Sequence, residues 1–126
     1  MKITKIGIAG SGIMGSSMAR IFAEHDYDVT LYNHRQPRLD RVRESLGSLA
    51  DRIVFTTELA VLADNELILE NLPESAEIKH AFYASISPLV KDETIVATNT
   101  SGMSINMLSE TMSLPERFVG YHWVNP

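Results

Sequence analysis

The chain has 126 residues, 44% of them hydrophobic, no cysteine and a formal net charge of -5. That length suits one domain with a single core, and the scattered acids form no basic footprint for nucleic acid. Lack of cysteine excludes a disulfide framework and thiolate metal sites, leaving a reducing cytoplasmic location as the expectation.

Met1-Lys2-Ile3-Thr4-Lys5 leads straight into a short apolar strand, without the hydrophobic stretch of a signal peptide. No apolar run approaches the roughly 20 residues that cross a bilayer, so no membrane partner is expected, and without cysteine no metal is expected either. Short β-branched runs then alternate with segments of helical period, the pattern of βα units. The expected class is α/β: a Rossmann, doubly wound parallel sheet in three αβα layers, forming one dinucleotide-binding domain over residues 1–126.

The first strand is Lys5–Ala9, followed by a helix with Met14, Met18, Ile21 and Phe22 on one face. Strand two runs from Asp28 to Asn33. A helix from about Gln36 to Leu46 carries Leu39, Val42 and Leu46, with Gly47 as its stop. Ile53–Thr56 is strand three. Thr57 is placed to cap a short helix with Leu59 and Leu62, and Glu66–Glu70 forms strand four. Ser75 opens a helix with an apolar stripe of Ile78, Phe82, Ile86 and Leu89, failing at Pro88. Thr94–Thr98 is strand five. Ser104 then caps a short helix with Ile105 and Leu108, and Phe118–Tyr121 is strand six.

Gly10-Ser11-Gly12-Ile13-Met14-Gly15 fits G-x-G-x-x-G between the first strand and the first helix. Three glycines at this spacing arise by chance in such a chain roughly 4% of the time, so the strand-to-helix placement carries the weight. There the first glycine permits a tight turn, the second lets the backbone approach a pyrophosphate, and the third lets helix pack on strand. The phosphates meet free N–H groups at the positive end of the helix dipole. The plain alternative is a structural glycine turn.

At the end of strand two an NAD-binding domain holds an acid for the adenosine ribose. Here Asn33 stands in its place, followed by His34 and Arg35. An amide does not repel a phosphate and a guanidinium grips one, which favours NADP over NAD. A solvated turn compatible with NAD remains the other reading.

Ligands of open α/β sheets lie beyond the carboxyl ends of the strands. Residues of this kind are Glu70, Asn71 and Glu74 after strand four, Asn99, Thr100 and Ser101 after strand five, and His122 and Asn125 after strand six. Histidine carries protons near neutral pH, as alcohol oxidation by hydride transfer requires, and Ser101 is placed to hold the reacting oxygen. Ordinary roles exist for each: Ser101 and Asn99 also suit the satisfaction of turn backbone, and His25, His34 and His80 read as surface residues.

The glycine turn with Met14, Glu70-Asn71-Leu72-Pro73-Glu74 with Lys79, Asn99-Thr100-Ser101, and the block from Pro115 to Pro126 containing Tyr121-His122-Trp123-Val124-Asn125-Pro126 together resemble the NAD-binding domain of the 3-hydroxyacyl-CoA dehydrogenase family. The resemblance spans essentially the whole chain. It implies an oxidoreductase moving a hydride between a secondary alcohol, a 3-hydroxyacyl-CoA or related hydroxy acid, and NAD or NADP. His122 resembles the family's catalytic base, and Ser101 and Asn125 the residues that place the substrate oxygen and the nicotinamide. Glu74 and Lys79 resemble contacts near the nicotinamide ribose, Asn71 lies beside the cofactor chiefly through its backbone, and Glu70 is a structural acid.

Three departures qualify the resemblance. Asn33 replaces the usual acid; the stretch 36–52 is shorter than the helical excursion of acyl-CoA members; and the final block together with Thr100-Ser101-Gly102 is similar to branches that oxidise small non-CoA alcohols. The resemblance also implies a glutamate partner for His122 and a helical, dimerising domain beyond Pro126, so the chain reads as a truncated part of a homodimeric enzyme of fatty-acid type metabolism, with a small-molecule substrate. Such a part is expected to bind cofactor better than it turns over, since an orienting carboxylate sets the imidazole tautomer. Two other readings stand beside it: a non-catalytic dinucleotide sensor, and a Rossmann domain of the 3-hydroxyisobutyrate or 6-phosphogluconate dehydrogenase type.

Overall fold

In a computed structural model that describes residues 2–99 and 117–121, the chain forms a parallel sheet of six strands in the order β3-β2-β1-β4-β5-β6. The strands are β1 (Lys5–Ala9), β2 (Asp28–Tyr32), β3 (Ile53–Thr56), β4 (Leu67–Glu70), β5 (Ile95–Asn99) and β6 (Phe118–Tyr121). Helices α1 (Ile13–Glu24), α2 (Gln36–Leu46), α3 (Leu59–Ala63) and α4 (Ala76–Ile86) make the crossovers. Strand order reverses between β1 and β4, which opens a crevice at their carboxyl ends. This is the Rossmann α/β fold expected from the alternating pattern.

Alternation along each strand divides the core into two layers, because successive side chains leave a strand on opposite faces. Ile6, Ile8, Val29, Leu31 and Leu69 pack with Met18, Ala19 and Ala23 of α1 and Leu39 and Val42 of α2. Ala9, Tyr32, Ile68, Val96 and Phe118 pack on the other face with Leu62 and Ala63 of α3 and Phe82, Tyr83 and Ile86 of α4. Each fully buried Leu, Ile or Phe contributes about 1.5–3 kcal/mol by leaving water. These two apolar layers hold the strand ends in place.

Local chemistry explains the boundaries. Gly47, with φ of +60°, ends α2, and Ser75 caps α4 by accepting from the Ile78 N–H. Pro88 halts α4, after which Ser87–Leu89 makes a single 3₁₀ turn.

Two expectations are corrected. The residue that turns the chain into α3 is Thr56, not Thr57: its hydroxyl accepts from the Glu58 N–H at 3.0 Å. The apolar stripe of α4 is rotated, with Ile78 44% and Leu89 48% exposed, while Lys79 and Tyr83 join Phe82 and Ile86 inside. A buried carboxylate on β4 draws that polar pair inward. The expected helix around Ser104, Ile105 and Leu108 lies outside the described residues. Among the described residues no helix is long and apolar enough to cross a membrane.

Candidate functional site

Parallel register lines up one row of residues along the carboxyl edge. Ala9 pairs with both Tyr32 and Glu70, Glu70 pairs with Thr98, and Asn99 pairs with Tyr121. One residue further on, Asn33, Gly10, Asn71, Asn99 and Tyr121 therefore stand side by side across the strands. Backbone bonds extend the ladder into this row: Gly10 N–H donates to Tyr32 O at 2.9 Å and Asn71 N–H to Ala9 O at 2.8 Å.

The glycine turn is shaped by its contacts. Gly10 has φ of +102°, and a Cβ there would lie 2.7 Å from Asn71 O. A Cβ on Gly15 would collide with Gly10 O, so α1 can approach the turn only without one. Gly12 faces open space and begins α1, whose first turn has no side-chain cap and no acid. A helix start without a capping side chain, at the positive end of the dipole and beside a face open among the described residues, forms an anion cradle.

A cleft of about 290 Å³ runs from this cradle between the loops after β2 and β4. Gly10, Ser11 and Gly12 line it on one side, Asn71, Leu72 and Pro73 on another, and Asn33, His34, Arg35 and Arg38 close the end next to β2. Among the described residues that end carries two arginines and no carboxylate. Asn33 connects the loops: its Nδ2 donates to Ser11 Oγ at 2.9 Å, and its Oδ1 accepts from the Arg35 N–H at 2.9 Å. Arg35 Nε donates to His34 Nε2 at 3.3 Å. Leu72 and His34 also border an apolar groove of about 230 Å³ with Tyr32, Leu59, Ile78 and Phe82. A larger hollow of about 580 Å³, between α1 and α2, shares Ser11 and Gly12 with the cleft but touches none of the row's asparagines.

Beneath the β4 loop lies Glu70, wholly buried. Its Oε2 accepts from Lys79 Nζ at 2.6 Å and from the Leu72 N–H at 2.7 Å, and its Oε1 accepts from Thr98 Oγ1 at 2.6 Å and from the Tyr83 hydroxyl. Four donors occupy both carboxylate oxygens, the arrangement that makes a buried charge tolerable. Lys79 also reaches Glu74 at 3.7 Å. Burial, reinforced by the Glu70 charge, pushes the Tyr83 phenol far above its usual range.

The structure brings Gly10, Gly12, Asn33, His34, Arg35 and Asn71 to one cleft and places Ile13, Met14 and Gly15 in the first turn of α1 beside it. Asn99 joins through its Nδ2, which donates to Asn71 Oδ1 at 3.0 Å. The Lys79 side chain is enclosed, bonded to Glu70 and close to Glu74, so it braces the β4 loop from beneath. Glu74 stands on the loop's exposed side, 43% accessible. The catalytic candidates His122, Ser101 and Asn125 lie outside the described residues. Sequence reasoning missed Ser11, the variable position of the glycine motif, and Arg38, which follows Arg35 at the i+3 spacing of a helix face.

Residues 5–126 match the family model for the 3-hydroxyacyl-CoA dehydrogenase NAD-binding domain. The chain belongs to this family. As its NAD-binding domain, the chain is 34% identical to a probable 3-hydroxybutyryl-CoA dehydrogenase of Deinococcus radiodurans, over 97% of this chain and 50% of that protein. It is also 34% identical to a 5-formyl-3-hydroxy-2-methylpyridine 4-carboxylate 5-dehydrogenase of Mesorhizobium japonicum, over 98% of this chain and 45% of that protein. A crystal structure of the 3-hydroxybutyryl-CoA dehydrogenase of Escherichia coli superimposes with a TM-score of 0.90 at 28% identity, covering 100% of this chain and 30% of that one. The domain thus spans about half the length of the curated relatives it matches.

Proposed function

We propose that this domain serves an oxidoreductase that oxidises a secondary alcohol of a hydroxy acid or its thioester. The observation that carries the reading is the open face of Gly12 at the start of α1, where no side chain caps the helix, within a cleft at the strand-order reversal. The shape fits a dinucleotide: pyrophosphate on the glycine turn, the adenosine end at Asn33 and the apolar groove of Leu59 and Ile78, and the nicotinamide end towards Asn71 and Asn99. When bound, the nicotinamide supplies the hydride acceptor.

The chain's own residues supply the acid–base and positioning work. His122 takes the hydroxyl proton on its imidazole, Ser101 holds the substrate oxygen, and Asn125 the nicotinamide side; the sequence block around them supports these roles. Glu74 supports the cofactor's ribose from the loop that Glu70 and Lys79 brace. In the whole protein, His122→Gln is expected to lower turnover by about 100-fold or more while cofactor affinity stays within about twofold. Unchanged turnover would exclude His122 as the base.

The end of the cleft beside β2 supports NADP in preference to NAD, because Arg35 and Arg38 line it with Asn33 and no carboxylate does so among the described residues. Titrating the chain with NADPH and NADH by nicotinamide fluorescence tests this. NADPH binding at least about tenfold tighter, near 1.4 kcal/mol, supports the phosphate grip; a preference for NADH removes it and leaves the dehydrogenase reading; binding of neither removes both.

A further inference from the structure

Tyr121 ends β6, two strands beyond the reversal point, yet its hydroxyl reaches back to β4. It donates to Asn71 Oδ1 at 2.8 Å and lies 3.4 Å from Glu70 O and 3.8 Å from Met18 Sδ. Asn99 Nδ2 donates to the same Asn71 oxygen at 3.0 Å, while Asn71 Nδ2 approaches Met18 Sδ at 3.3 Å. Both lone pairs of that amide oxygen are therefore taken by strands β5 and β6, and the amide nitrogen faces α1. The Asn71 side chain has one orientation that satisfies all three contacts.

The Asn71 backbone is equally constrained. Its N–H donates to Ala9 O, and its carbonyl oxygen lies where a Cβ on Gly10 would fall. Asn71 is thus wedged between the glycine turn and the last two strands, at the carboxyl end where a dinucleotide crosses the sheet. Burial, and then the Glu70 charge, push the Tyr121 phenol far above its usual range, so it stays a neutral donor throughout the working pH range.

We propose that Tyr121 is a positioning residue for the nicotinamide half of the cofactor: its hydroxyl locks the Asn71 amide against Asn99, joining the ends of β4, β5 and β6 into one ledge. The inference rests on the dinucleotide reading above. The strand order separates the two halves of the cofactor, with Asn33 and Arg35 after β2 at the adenosine end and Tyr121 four strand positions away. Loss of the hydroxyl is therefore felt by the nicotinamide half alone.

The test compares NADH with ADP, which occupies only the adenosine and phosphate portion, on this chain and its Tyr121→Phe and Asn71→Ala variants. Tyr121→Phe is expected to weaken NADH binding about fivefold and to leave ADP within about twofold. Combined with Asn71→Ala it adds nothing to the loss caused by Asn71→Ala alone. Unchanged NADH affinity, an equal loss for NADH and ADP, or additive losses each overturn the proposal. Failure of the unaltered chain to bind NADPH, NADH and ADP alike overturns the dinucleotide reading and this inference with it.

Discussion

The Lys79 ammonium lies 2.6 Å from Glu70 Oε2, and neither side chain reaches solvent. The pair joins α4 to the end of β4, and through the Leu72 N–H it also fixes the loop that lines the cleft. Removing one partner leaves a buried charge uncompensated. Lys79→Met is expected to lower unfolding free energy by about 3–5 kcal/mol in urea denaturation, and Lys79→Met with Glu70→Leu to recover part of that loss. A cost under about 1 kcal/mol for the single substitution would show that the pair is not structural.

Gly12 and Gly15 belong to one motif but answer to different constraints. Alanine at position 15 collides with Gly10 O, so Gly15→Ala is expected to cost about 1–3 kcal/mol of stability and to weaken cofactor binding. Alanine at position 12 meets nothing among the described residues, so Gly12→Ala keeps its melting temperature while the methyl occupies the space above the helix end and weakens NADH binding. Equal thermal losses for the two variants would contradict this division.

Asn33→Asp places a carboxylate between Ser11 and Arg35. The Ser11 hydroxyl can rotate to donate, so the loop contact survives the change. A carboxylate accepts strongly from ribose hydroxyls and repels a 2′-phosphate, so the NADPH-to-NADH affinity ratio should fall by about tenfold. The same titration on both proteins reads the ratio, and an unchanged ratio would exclude Asn33 from cofactor selection.

Acid stability depends in part on Glu66. Its Oε1 accepts from the Thr4 N–H at 2.8 Å and the Lys5 N–H at 3.0 Å, and these backbone bonds hold its carboxyl below the usual glutamate range. A folded-state pKa depressed below the unfolded one gives stability that is complete above about pH 4.5 and is lost as pH falls through the lowered value. Glu66→Gln should therefore flatten the acid limb of a stability-against-pH curve. An unaltered limb would show that the carboxylate does not couple β1 to β4.

Much of this domain follows from local pattern. Period-two and period-3.6 hydrophobicity delimits β1, α2 and β3 at the residues found, because one-sided burial in a layered sheet leaves that signature along the chain. The glycine motif is equally local, since its steric demands fall within six consecutive residues of a single turn. Ser75 and Gly47 act on neighbouring backbone only, so their roles too are legible without a tertiary contact.

Partnerships across the sheet were decided by the tertiary structure. Nothing in the hydrophobic period marks Lys79 as buried; its burial follows from a charge nine positions away in sequence, on a different element. Tyr121 reads as one more strand aromatic, yet parallel register sets it level with Asn99 and within reach of Asn71, fifty residues earlier. Asn33 carries a similar double meaning: the sequence offers an amide where an acid is usual, and only the folded loops show it bonded to Ser11. Hydrophobic period records which face is buried; it carries no information on which polar groups meet there, because that depends on strand order and register.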